Sequence, residues 1–221
     1  MRAARSVAAL GALIGAAALG LQYFLIVRNM GAEGSTLLEA TWRYFVYFTI
    51  LTNAFVTLVM ARAALNPASR EGLNAPRVEL MAVTSILFVC IVYNLLLASR
   101  WDPQGLQKVA DVGVHQIVPA LFALFWLLRP HGGLTWRGAL FCALWPTAYT
   151  VYALARGQLD GFYAYYFMDP STMSWGALAL NVAGLCAAFV AGALVLVGVD
   201  HVLARRAQAG VDLRASARAP N

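Results

Sequence analysis

Charge is the scarcest thing in this chain. Only 12% of its 221 residues are Asp, Glu, Lys or Arg, against roughly a quarter in soluble domains, while 61% are hydrophobic and mean hydropathy is +0.68. No polar stretch is long enough for a separate soluble domain. Lysine occurs once, at Lys108, and the other fifteen basic residues are Arg. With the abundant Ala, that bias points to a GC-rich bacterial genome. The formal charge of +6 reads as membrane topology and excludes nucleic acid as a partner. Cysteine is scarce as well: Cys90, Cys142 and Cys186 lie in three different apolar runs, which excludes a disulfide framework or a metal knuckle. No two His stand at metal-ligand spacing, and no axial pair for haem is present, so neither metal nor cofactor is expected. Internal repeats and linkers are absent.

What is there is apolar length. Six runs can each cross about 30 Å of hydrocarbon at about 1.5 Å per residue: Val7–Val27, Tyr44–Ala61, Val78–Ala98, Val112–Leu128, Trp136–Ala155 and Trp175–Val199. The expected fold is therefore an all-α polytopic bundle of six transmembrane helices over residues 1–200. The first run follows Arg2 and Arg5, but it is about twice the length of a signal-peptide core and has no small-x-small exit. It reads as a span. Turn-rich loops such as Asn74-Ala75-Pro76 and Arg129-Pro130-His131-Gly132-Gly133 are short, so sequence neighbours should pack antiparallel. Counted outside the spans, eleven basic residues fall on the side of the termini and five on the other. Both termini should face the cytoplasm, across a bacterial inner membrane. Residues 201–221, rich in Ala and Arg, read as a disordered cytoplasmic tail held near anionic lipid.

Polar groups inside the spans are few and grouped. Thr49, Thr52 and Asn53 are spaced by three and four residues, placing them on one helical face, with Thr57 a turn further on. Such a face belongs inside a bundle, where Thr and Asn commonly make interhelical hydrogen bonds. Thr49 should lie about 8–10 Å below the outer end of its helix. His115, Asn94, Asn181, Tyr149 and Tyr152 fall near the same end of their own spans, as does the aromatic loop from Gly161 to Pro170. The inner halves of the spans are nearly all Ala, Leu, Val and Phe. Polar groups concentrated at one depth favour a site over scattered packing bonds.

Within that layer a hydroxyl and a weak base can pair. A Thr hydroxyl attacks a carbonyl only when a base removes its proton, and imidazole is the usual base. Desolvation favours the neutral imidazole, which accepts a proton. Pro119, one turn after His115, removes a backbone donor and frees a carbonyl there. Asn53, Asn94 or backbone amides are candidates to steady an oxyanion, and Asp111 is the nearest carboxylate to orient the imidazole, though its position is interfacial. Tyr149, Tyr163, Tyr165 and Phe167 are expected to wall a water-poor pocket for an acyl chain.

Three segments together resemble the androgen-induced-protein family of multi-span membrane threonine hydrolases, and most closely its small bacterial relatives. Tyr47-Phe48-Thr49-Ile50-Leu51-Thr52-Asn53 is similar to the segment carrying the family's nucleophilic Thr, which falls on Thr49. Val114-His115-Gln116-Ile117-Val118-Pro119 is similar to that of its essential His, which falls on His115. Gly161 to Asp169 resembles its Gly-x-Trp-x-Tyr-Pro-Phe-Leu pattern, with Tyr163 and Tyr166 in place of Trp and Pro. The likeness runs from about residue 42 to 170. It implies six spans and hydrolysis of a lipid ester, a hydrophobic small molecule drawn from membrane lipid.

Two readings follow. In the first, Thr49 is acylated and His115 acts as base, then as acid. In the second, the same pocket belongs to a non-catalytic lipid-binding or transport protein. Transporters usually carry broken spans and paired charges near mid-membrane, and Pro146 is the one comparable feature here. The esterase reading is the better supported.

Overall fold

The computed structural model describes residues 2–216, which form an all-α fold. Six helical segments are long and apolar enough to cross a membrane: Arg2–Ala32, Phe48–Leu65, Pro76–Leu97, Gly105–Leu127, Gly138–Asp160 and Trp175–Gly210. Each overlaps one of the six apolar runs, though the fourth begins at Gly105 and not at the expected Val112, so His115 lies well inside its helix and not near its start. The chain is a multi-pass membrane protein.

The first span, α1 (Arg2–Ala32), buries a stripe of small residues: Ala4, Ala8, Gly11, Gly15 and Ala18, spaced by three and four. Apolar side chains gain nothing by leaving lipid for a neighbouring helix, so close backbone approach over small residues supplies the contact instead. A Cβ added to Gly11 would run into Met60 and one added to Gly15 into Thr57, so α1 lies almost backbone-to-side-chain on the second span. Gly113 makes the same accommodation for Ala18, where a Cβ would stand 3.0 Å from the alanine methyl.

A short helix, α2 (Leu37–Tyr44), follows. Its start is fixed by a capping box: the Glu39 N–H donates to Thr36 Oγ1 at 3.2 Å, and the Thr36 N–H donates to Glu39 Oε2 at 2.7 Å. Leu37, Leu38 and Trp42 are exposed, as suits a helix lying along a membrane interface. The helix ends at Tyr44, and Phe45 to Tyr47 are not helical. The second span, α3 (Phe48–Leu65), therefore begins four residues later than its apolar run. This corrects the depth expected for Thr49, which stands in the first turn of its helix.

Two spans carry a widened turn. In the third, α4 (Pro76–Val92) passes into a π-helical turn at Tyr93–Leu97, closed by the Ala98 N–H on the Tyr93 carbonyl. In the fourth, α5 (Gly105–Val112) and α6 (Val118–Leu127) are joined by another at Gly113–Ile117, closed by the Val118 N–H on the Gly113 carbonyl. Pro119 has no N–H for the carbonyl four residues before it, that of His115. The helix takes up this defect by widening next to the histidine. The fifth span joins α7 (Gly138–Phe141) to α8 (Leu144–Asp160), and α8 is capped by Gly161 at φ +72°, its N–H on the Gly157 carbonyl at 2.9 Å.

The sixth span opens α9 (Trp175–Ser216). Disorder was expected from residue 201, but α9 continues as helix to Ser216. Ala, Arg, Gln and Leu, which dominate this stretch, are all good helix formers, so the helix of the span propagates through them. Residues 217–221 of the expected tail lie outside the described residues.

Neighbouring spans run antiparallel, so the start of α3, the end of the third span, the start of α5, the end of α8 and the start of α9 share one end of the bundle. It is called the far end here, the other being the end that carries Arg2. Near Arg2, buried Glu79 of α4 receives Arg129 Nη2 at 2.9 Å and Arg70 Nη1 at 3.0 Å. Arg129 also donates to the carbonyls of Pro67 and Ser69, tying the loop after α3 to the end of α6. Asp200 on α9 receives His131 Nδ1 and the N–H groups of Gly132 and Leu134. These charges are satisfied by one another and by backbone, the condition for keeping them out of water.

Candidate active site

The polar face read from the sequence divides into three roles. Thr49 Oγ1 points across the bundle to His115 Nε2, 3.4 Å away. Thr52 is fully buried and accepts a hydrogen bond from Trp145 Nε1 at 3.0 Å, an interhelical packing bond. Asn53 is also fully buried, and its Nδ2 donates to the Thr49 carbonyl at 2.8 Å and the Val114 carbonyl at 3.1 Å. Asn53 thus pins the backbone of the Thr49 turn to that of the His115 turn. Its N–H groups are spent on that task and none is aimed at the pocket, which corrects its candidacy as an oxyanion donor.

His115 is held from three sides. Nδ1 lies 3.2 Å from Asp111 Oδ1 and 3.1 Å from the Asp111 carbonyl, one turn back on the same span. The Tyr93 hydroxyl donates to Asp111 Oδ2 at 2.6 Å. The Tyr93 ring stacks on the imidazole at 3.7 Å between centroids and 10° between planes. A proton on Nδ1, shared with Asp111, leaves the Nε2 lone pair facing Thr49, the tautomer that a base requires. Both π-helical turns bear on this spot, one beginning at Tyr93 and the other carrying His115. Widening a turn re-aims its side chains, a common use of such turns at functional sites.

Thr49 also gains from its place at a helix start. Ile50 and Leu51 both donate to the Tyr47 carbonyl, so the N–H groups of Phe48 and Thr49 are left at the positive end of α3. The Tyr165 hydroxyl lies near the start of α3, and Tyr165 and Thr49 line the same pocket. Burial pushes this phenol up to about 12, so it stays neutral.

The pocket beside these groups holds about 600 Å³ of non-atom space, its open mouth included. Thr49, Tyr93, Tyr149, Tyr165 and Phe167 line it together with Phe88, Pro146, Leu185, Cys186 and Phe189. Tyr149 presents only its ring, because its hydroxyl is bonded to the Val46 carbonyl at 3.0 Å. Phe167 is held by its own carbonyl, which accepts from Asn181 Nδ2 at 2.9 Å.

Two expected members fall elsewhere. Asn94 is exposed and turned along its own helix, with Nδ2 on the Cys90 carbonyl at 2.8 Å. The π-helical turn that brings Tyr93 inward rotates the next residue out. Tyr163 lies over Gly157, where any Cβ would strike its ring, and receives Gln158 Nε2 at 3.1 Å. The Gly161 turn folds it back on α8, away from the pocket. Tyr93 was not anticipated: its ring and hydroxyl look like ordinary span-end chemistry until the π-helical turn places them against His115 and Asp111. Among the described residues, no group of three His, Cys, Asp or Glu side chains is arranged to hold a metal ion.

Comparison of the chain with protein-family models, with curated proteins and with solved structures finds no match.

Proposed function

We propose that the protein is an integral membrane hydrolase of fatty-acyl esters, with Thr49 as nucleophile, His115 as general base and acid, and Asp111 as the group that orients the imidazole. The observation that carries this reading is the continuous chain Thr49–His115–Asp111–Tyr93, whose two end members, Thr49 and Tyr93, line an apolar pocket. The resemblance of the Thr49, His115 and aromatic-loop segments to membrane threonine hydrolases points the same way, and we assign the chain to that group on this basis.

In the first half-reaction His115 Nε2 takes the Thr49 proton as Oγ1 attacks the ester carbonyl carbon. The Phe48 and Thr49 amides and the Tyr165 hydroxyl receive the charge that develops on the carbonyl oxygen. Collapse breaks the bond to the alkoxide, which takes the proton from His115 and leaves as an alcohol. In the second half-reaction His115 deprotonates water, which attacks the acyl-threonine; carboxylic acid leaves and Oγ1 regains the proton. A separation of 3.4 Å suits a resting site that tightens when substrate binds. The aromatic and aliphatic wall holds the acyl chain and excludes water.

The excess of basic residues beside the termini supports a topology with both termini in the cytoplasm and the site in the outer half of a bacterial inner membrane. A reporter fused to the tail and active only outside the cytoplasm would reverse that assignment. The activity itself is tested by a long-chain fluorophosphonate probe on the purified protein. Stoichiometric labelling that is slowed by added acyl ester is expected. Absence of labelling, with reversible retention of the same ester, would favour the lipid-binding alternative.

A further inference from the structure

At the end opposite the site, a second cavity opens between the start of α1, the loop after α3 and the end of α6. It holds about 510 Å³ of non-atom space, its open face included. Arg5, Arg70 and Arg129 line it, beside apolar Ala63, Phe125 and Leu128. Arg129 is buried and committed to Glu79 and to two loop carbonyls, so it forms a fixed cationic wall. Arg70 is also bound to Glu79, but its side chain is 31% exposed. Arg5 is exposed, and its Nε is anchored on the Ala64 carbonyl at 3.0 Å, which directs the rest of the guanidinium along the cavity rim. Three guanidinium groups here face Glu79, with Asp200 also acting on Arg70, which still leaves an excess of positive charge. On the lipid side, exposed Leu124 and Leu127 extend the apolar face of α6 away from the arginines.

We propose that this cavity is a binding site for an anionic glycerophospholipid. Its phosphodiester would sit against Arg5 and Arg70 over the Arg129 wall, and an acyl chain would follow α6. A guanidinium donates to phosphate oxygens in a planar fork, so an arginine cluster suits a phosphate better than a zwitterion whose own ammonium competes for it. Basic pockets between spans at the membrane surface select anionic lipids for this reason. The site is independent of the Thr49 chemistry, and its occupant ties α1 to the Glu79–Arg129 cluster.

The test is native mass spectrometry of the full-length protein in a non-ionic detergent, titrated with dioleoyl-phosphatidylglycerol and, separately, dioleoyl-phosphatidylcholine. The protein is expected to retain one phosphatidylglycerol in preference to phosphatidylcholine. Arg5→Gln is expected to weaken that retention about fivefold, the loss of about 1 kcal/mol carried by one cation facing anionic lipid. Arg205→Gln, on the exposed part of α9, should leave it unchanged. Equal retention of the two lipids, or an Arg5→Gln protein indistinguishable from wild type, would overturn the proposal. Displacement of the lipid by millimolar inorganic phosphate would overturn it too, since the cavity would then be reading the free anion.

Discussion

The Tyr93 ring lies flat on the His115 imidazole, 3.7 Å between centroids, while its hydroxyl reaches around to Asp111 at 2.6 Å. One side chain thus touches both the base and the carboxylate beside it. The stack fixes the plane of the imidazole, and the hydrogen bond fixes the carboxylate that shares its Nδ1 proton.

The two contacts are separable. Tyr93→Phe should keep the stack and lose the hydrogen bond, lowering kcat for a chromogenic acyl ester about tenfold, in line with about 1.5 kcal/mol for a hydrogen bond to a charged group. Asp111→Asn should cost more, roughly two to four orders of magnitude in kcat, because the amide no longer enforces the tautomer in which Nε2 faces Thr49. KM should change little in either variant, since Asp111 does not line the pocket and Tyr93→Phe keeps its ring there. A KM effect larger than the kcat effect would remove both residues from the proton-transfer chain.

Close contact between α1 and α3 rests on Gly15. Replacing it with Leu drives a side chain into Thr57, and the helices must separate or the side chains leave their rotamers. Overpacking of this kind costs about 1–3 kcal/mol. Gly15→Leu should unfold at a lower temperature in detergent, whereas Gly20→Leu, with nothing within 4 Å of the added Cβ, should not. Equal melting temperatures for the two variants would show that the small-residue stripe does not govern this contact.

Removing Glu79 leaves Arg129 buried without its carboxylate. Breaking a buried pair in this way costs about 3–5 kcal/mol, more than the pair contributes over an apolar replacement. Glu79→Ala should therefore be the most destabilised single variant described here, and Arg129→Ala should behave similarly. The double variant should recover part of the loss in a thermal melt. Strictly additive losses would show that the two groups act independently.

The six spans were legible in the sequence because apolar length is a strong signal in a membrane chain, and the polar pattern put Thr49 and His115 toward one end of the bundle, although both helix starts lay elsewhere than counted. What stayed hidden depends on local departures from a regular α-helix. The non-helical break at Phe45 to Tyr47 interrupts an apparently continuous run, so Thr49 stands in the first turn of α3 and not about 8–10 Å below its outer end. The π-helical turns shifted facing by a fraction of a turn, bringing Tyr93 in and sending Asn94 out. Tyr163 was misplaced because an αL glycine at Gly161 reversed the chain onto α8.

In the proposed reaction Thr49, and not its neighbour on the same face, carries the acyl group. Both hydroxyls belong to α3, but Thr52 is committed to Trp145 and Thr49 faces His115. Thr52→Ala should therefore cost a packing bond of about 0.6 kcal/mol and keep its turnover. The direct measurement is peptide mapping by mass spectrometry after reaction with a long-chain fluorophosphonate. The adduct is expected on Thr49 in the wild-type and Thr52→Ala proteins, and Thr49→Ala should show neither adduct nor ester hydrolysis. An adduct on Thr52, or full hydrolysis by Thr49→Ala, would contradict the account.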